Sequence, residues 1–243
     1  MNQAHSFKLF LVMTLALNAD RATAAPMASG QEPTSPPIDC PLRKQGIDPT
    51  HMRPFEDVET YIAFLERADR DLWQKPDEVV TALGLLGDET VLDLGAGSGY
   101  FTFRLAKALP RGKVVAADTE PEMVRHIHHK AMSQGIQNVQ AALIRPDDPA
   151  APADVDLVFV CDLLHHVADR ATWLASLGKE MKPGSRLVLI EFKEGHLPEG
   201  PPESAKMSRA QTQELVTKAG LSLVFERADL LPYQTFLVFR KPR

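Results

Sequence analysis

The residues with most chemistry in them form one short run, Asp93-Leu94-Gly95-Ala96-Gly97-Ser98-Gly99-Tyr100. Glycines here allow left-handed backbone and a close approach to a ligand, and the helix that follows offers N–H groups to an anionic group. The spacing is G-x-G-x-G, with an acid two residues ahead of the first glycine. A dinucleotide loop would place glycine or alanine at position 100, which is Tyr100, and no G-K-[ST] phosphate loop occurs. Asp118 ends the next apolar run, 19 residues after Gly99, where a carboxylate can accept both hydroxyls of a ribose. His165 and His166 follow a fourth apolar run, and Glu191, Lys193, Glu194 and His196 follow a fifth.

Strands and helices in alternation would position these groups. Short apolar runs predict strands at Val91–Leu94, Val114–Ala117, Val139–Leu143, Leu157–Val160 and Arg186–Ile190. Helical spacing predicts helices over Phe55–Leu65, from Pro76 onward, and over Phe101–Leu109, Pro121–Ser133, Ala171–Met181 and Gln211–Ala219. All-apolar strands interleaved with helices describe an α/β, Rossmann-like doubly wound sheet, mostly parallel and covered on both faces. Leu221–Glu226 and Thr235–Phe239 have no helix between them and predict an antiparallel addition at one edge. Ligands of such sheets bind beyond the carboxyl ends of the strands. Function is therefore expected after Leu94, Ala117, Val160 and Ile190.

Not all 243 residues belong to that sheet. Lys8, the apolar run Leu9–Leu17 and the small residues Ala22-Thr23-Ala24 predict a signal peptide over 1–24, with Ala19 as an earlier cleavage point. The run is too short to cross a bilayer, which takes roughly 20 residues of helix, so stable membrane insertion is not expected. A periplasmic or secreted location follows, unless Met52 is the start of a cytoplasmic form. Residues 25–54 are rich in proline and read as a linker, and 55–243 as one domain with a helical flank. The chain has 27 bases and 32 acids, a charge of -5; loss of residues 1–24 leaves 25 and 31, or -6. That balance argues against nucleic acid as a partner. Cys40 and Cys161 are too few for a disulfide framework and are expected unpaired. His126, His128 and His129 do not share one helix face and read as a solvated surface, not a metal site.

The glycine loop, Asp118 and the turn Met181-Lys182-Pro183-Gly184 together resemble the class I S-adenosylmethionine-dependent methyltransferases, over about residues 70–240. The resemblance implies the seven-stranded fold of that family and S-adenosyl-L-methionine as cofactor. It assigns the methionine part to Asp93, Gly95, Ala96, Gly97 and Gly99, beside Tyr100, and the ribose to Asp118. Thr119 and Met123 would flank the adenine, and Asp147 or Asp148 would meet its amino group. Asp162 and Leu163, with the histidine pair, match the segment after strand four in the family's small-molecule members. Arg70-Asp71-Leu72-Trp73-Gln74-Lys75-Pro76 and Leu231-Pro232-Tyr233-Gln234 resemble a bacterial subgroup with secretion signals. Trp73 and Gln74 are expected either as a lid over the cofactor or, for Trp73, as core.

Methyl transfer needs an aligned nucleophile and exclusion of water, with a base only where the acceptor carries a proton. Cys161-Asp162-Leu163-Leu164 stands where nitrogen methyltransferases often carry an N-P-P-Y type signature, which favours an oxygen or carbon acceptor in a small-molecule substrate. His166 is the first candidate base and Glu191 the second; no metal is expected. The rivals are a cofactor-binding module without turnover and a nicotinamide-dependent oxidoreductase.

Overall fold

All seven apolar runs form strands: β1 (Thr90–Leu94), β2 (Lys113–Asp118), β3 (Val139–Leu143), β4 (Leu157–Cys161), β5 (Arg186–Phe192), β6 (Ser222–Glu226) and β7 (Gln234–Arg240). They build one sheet in the order β3-β2-β1-β4-β5-β7-β6. The first five are parallel, while β7 enters between β5 and β6 and runs against both. The structure is a computed structural model that describes Leu42 and residues 55–243, all within one unit from Pro37 to Arg243.

Strand alternation sorts the core into two layers. Leu92, Leu94, Val158 and Val160 point to the face covered by α6 (Arg170–Glu180) and α7 (Arg209–Lys218), through Trp173, Leu174, Leu177 and Val216. Val91, Leu157, Phe159 and Ile190 point to the other face, against α3 (Pro76–Ala82) and α4 (Thr102–Ala108). A third cluster sets Val124 and Ile127 of α5 (Pro121–Ser133) with Ala116 and Ala141. Both sheet faces are therefore covered, as continuous apolar strands require.

Caps explain where helices begin. Ser208 and Gln211 form a capping box, so α7 starts at Arg209, two residues before the periodicity does. Asp169 accepts the Thr172 N–H ahead of α6. Ahead of the sheet lie α1 (Phe55–Leu65) and α2 (Arg70–Gln74). Pro76 disfavours helical backbone in Lys75, which turns left-handed at φ 43° and breaks α2 from α3.

The predicted signal peptide, the linker and Cys40 lie outside the described residues, except that Leu42 is helical and fully buried beside Ala96 and Ile127. Among the described residues no helix is long and apolar enough to cross a membrane.

Candidate active site

Strand order reverses between β1 and β4, and a cavity of about 1170 Å³ opens there, beyond the carboxyl ends of the parallel strands. That exceeds the ~300–1000 Å³ of a site for one drug-sized ligand, so a cofactor and a second molecule both fit.

The glycine loop forms one wall, and its amides point inward. Gly95 and Ala96 donate to the Ala117 carbonyl at 2.8 and 3.0 Å, Gly97 to Asp118 Oδ2 at 2.7 Å, and Gly99 to the Ala96 carbonyl at 2.9 Å. Three of these amides, those of Gly95, Ala96 and Gly97, are held by β2. Gly95 shows why the position needs glycine, because φ is +78° and a Cβ would stand 3.0 Å from the Leu163 side chain. Ser98, at the tip, keeps its hydroxyl buried without a hydrogen-bond partner.

Two buried acids brace the cradle. Asp93 accepts the Thr102 hydroxyl at 2.6 Å, and burial pushes its carboxyl up to about 7. Asp118 takes the Gly97 N–H on Oδ2 and the Glu120 N–H on Oδ1 at 2.9 Å; burial raises its pKa, against those bonds. A carboxylate has about four acceptor sites, so Asp118 retains capacity for ribose hydroxyls. Thr119 and Met123 line the same end of the cavity, as does Asp147. Asp147 is exposed and held below the usual carboxylate range by Arg145, which grips it at 2.7 and 3.0 Å. Asp148 turns instead to the Ala150 N–H at 3.0 Å and does not line the cavity.

The opposite end is built from the turn after β4. Asp162 sits left-handed at φ 57° and accepts Gln234 Nε2 at 2.6 Å, with Arg70 Nη2 4.0 Å away. Burial, and then the nearby Glu191 carboxylate, push Asp162 up to about 7. Tyr100 donates its hydroxyl to Asp71, and its ring lies under the guanidinium groups of Arg70 and Arg104, 4.0 and 4.4 Å from its centroid. Cys161 keeps a free thiol whose pKa burial raises.

The histidine pair resolves differently from expectation. Leu164–His166 form a single 3-10 turn, whose Leu164 N–H donates to Glu191 Oε1 at 2.5 Å. Glu191 Oε2 lies 2.9 Å from His165 Nδ1, so the buried carboxylate orients His165, not His166. Both histidines line the cavity and Glu191 does not. His166 is exposed, its ring 4.1 Å from that of His165; partial burial and then His165 hold it below the usual imidazole range. The available signal was Glu191 one residue past Ile190, which pairs with Cys161 across β4 and β5.

The expectations for Gln74 and for the histidines of α5 also change. Gln74 is no lid: it is fully buried and donates to Gln234 Oε1 at 2.8 Å. Trp73 lines the cavity, packed against Phe192 and Tyr233. Lys193, just past β5, donates to the Leu231 and Pro232 carbonyls. His126, His128 and His129 are half-buried rather than solvated, and among the described residues no group of three ligands is placed to hold a metal.

Residues 92–187 match the methyltransferase domain family. A ubiquinone/menaquinone biosynthesis C-methyltransferase of Marinomonas sp. is 30% identical over 150 residues, covering 58% of this chain and 54% of its own length. A trans-aconitate 2-methyltransferase of Azoarcus sp. is 34% identical over 139 residues, covering 56% and 50%. The chain thus spans about half the length of these curated relatives. A SAM-dependent methyltransferase from Aquifex aeolicus superposes with a TM-score of 0.67 at 25% identity, covering 77% of this chain and 98% of that one. The fold is that of the class I methyltransferases, and residues 92–187 carry the match to the methyltransferase domain family.

Proposed function

We propose that the protein methylates a small molecule on oxygen or carbon, with S-adenosylmethionine as donor. The observation that carries this reading is Asp118 beside the glycine loop: its carboxylate holds the Gly97 N–H and keeps acceptor capacity for ribose hydroxyls. Tyr100, where a dinucleotide loop would carry glycine or alanine, disfavours a nicotinamide dinucleotide. The relatives are named for carbon methylation in one case and for trans-aconitate in the other, so they leave oxygen and carbon both open.

The residues fit the cofactor end to end: the Gly95–Gly99 cradle for the methionine part, Asp118 for the ribose, Thr119 and Met123 beside the adenine, and Asp162 and Leu163 toward the sulfur. Asp147 stands near the adenine edge. When bound, S-adenosylmethionine supplies an activated sulfonium methyl. His165 serves as base: Glu191 holds Nδ1 and leaves Nε2 to take the acceptor's proton. Trp73 and Phe192 keep water from the acceptor end. The net charge of -5 supports a small molecule over nucleic acid, and the N-terminal apolar run supports export.

Isothermal titration of the full chain with S-adenosylmethionine, S-adenosylhomocysteine and NAD tests the reading. Binding of both sulfur ligands is expected, and binding of NAD alone overturns it. Tight binding with no methylated product from any metabolite extract favours a module without turnover. N-terminal sequencing of the protein from fractionated cells tests export.

A further inference from the structure

The end of the cavity remote from Asp118 has aromatic walls. Trp73 and Phe192 lie 5.7 Å apart at a tilt of 44°, and His165 meets Phe192 edge-on at 6.4 Å. The loop behind holds Phe192 in place: Gly200, at φ +103°, comes so near that a Cβ there would stand 2.5 Å from the ring. At the rim, Tyr61 and Phe64 stack 6.4 Å apart, each more than half exposed. Solvent-facing aromatic rings around a cleft mark a surface kept for a ligand.

Among the described residues, each arginine that lines the cavity already has a partner. Arg67 pairs with Glu199, Arg70 donates to the Leu65 carbonyl at 2.7 Å and faces Asp162, and Arg145 grips Asp147. Among the described residues no lysine lines the cavity. A carboxylated or phosphorylated acceptor would find every lining arginine among the described residues already engaged, and would meet Glu199 and Asp162.

We propose that this end takes a neutral, planar hydroxyaromatic acceptor: a phenol, catechol or hydroquinone stacked on Trp73 and Phe192, its hydroxyl at His165. The chemistry of this step rests on the methyltransferase reading above. The acceptor oxygen bonds to the methyl carbon as the carbon–sulfur bond breaks with its electron pair returning to sulfur. The hydroxyl proton passes to His165 Nε2 and then to solvent. Aromatic walls beside His165 favour a planar acceptor that carries its hydroxyl on the ring.

The test uses the full chain and three probes of one skeleton: 2,3-dihydroxynaphthalene, 3-hydroxy-2-naphthoic acid and decahydro-2-naphthol. Affinities are measured by calorimetry with and without S-adenosylhomocysteine. The diol is expected to bind about tenfold tighter than decahydro-2-naphthol, the margin that aromatic stacking supplies, and tighter than the acid, whose carboxylate loses its hydration without a free cation to meet it. Phe192→Leu should reduce that margin severalfold and leave decahydro-2-naphthol unchanged. Equal or tighter binding of the acid or the saturated alcohol overturns the proposal, as does no binding of the diol. If S-adenosylhomocysteine binds and the diol shows no preference, only this inference fails. If the diol is preferred and S-adenosylhomocysteine does not bind, the aromatic site stands and the methyltransferase reading falls.

Discussion

Gln74 of α2 and Gln234 of β7, 160 residues apart in the chain, hold each other in full burial, Nε2 to Oε1 at 2.8 Å. Gln234 spends its own Nε2 on Asp162, and Gln74 lies 3.3 Å from the Cys161 sulfur. Two neutral amides thereby tie the helical flank and the C-terminal strand to the turn after β4. A buried amide left without its partner is costly, which makes the pair a sensitive point.

Gln234→Leu removes a donor from Asp162 and an acceptor from Gln74 at once. It should lower unfolding free energy by about 3 kcal/mol, seen as a reduced midpoint in chemical denaturation. A loss below about 1 kcal/mol would mean that the relay does not brace the turn.

Asp118→Ala should weaken S-adenosylhomocysteine binding about thirtyfold, or about 2 kcal/mol, by removing the ribose acceptor together with the anchor of the Gly97 amide. Asp147→Ala, at an exposed carboxylate already paired with Arg145, should have a smaller effect. Calorimetry on both variants checks the order; if it is reversed, the ribose assignment is wrong.

His165→Gln should lower turnover on a phenolic acceptor by roughly 10²–10⁴-fold, with cofactor affinity nearly intact. His166→Ala should lose far less, because no carboxylate orients that ring. Glu191→Gln should fall between them, since it still accepts the Leu164 N–H. Steady-state rates decide this, and equal losses at 165 and 166 would remove the assignment of the base.

Asp93 carries a pH dependence of stability. Its buried carboxyl is raised to about 7 in the folded chain, against about 3.9 when unfolded. Between those values the folded state keeps a proton that the unfolded state has released, so stability falls as pH rises from about 4 through about 7. Asp162 adds a fall of the same sign. Asp93→Asn, whose amide oxygen can still accept from Thr102, should flatten its share and gain about 3 kcal/mol at pH 8 relative to the parent. Denaturation at pH 5 and pH 8 measures the difference; an unchanged slope would show that Asp93 is ionised in the folded state.

What was legible in the chain had local causes. Apolar runs of four to six residues became strands because β1, β4 and β5 are buried on both faces, and the glycine spacing located the cradle. The start of α7 was misplaced by two residues, since the Ser208–Gln211 cap extends beyond the apolar periodicity. Gln74 gave no sign of being core, because a polar residue on a short helix reads as surface until its partner is known.

The amino-acid sequence by itself determined the doubly wound sheet, the cradle after β1 and the acid after β2, all of which depend on the order of residues within a few turns. Only the tertiary structure decided which histidine has a carboxylate behind it. β4 and β5 lie side by side in register from Leu157–Arg186 to Cys161–Ile190, and that pairing brings Glu191 to the Leu164–His166 turn. One ring of the pair faces the carboxylate and the next does not, because adjacent residues on a tight turn project in different directions. Likewise, the packing of Phe192 against Trp73 and Gly200 depends on segments that meet only when the sheet closes.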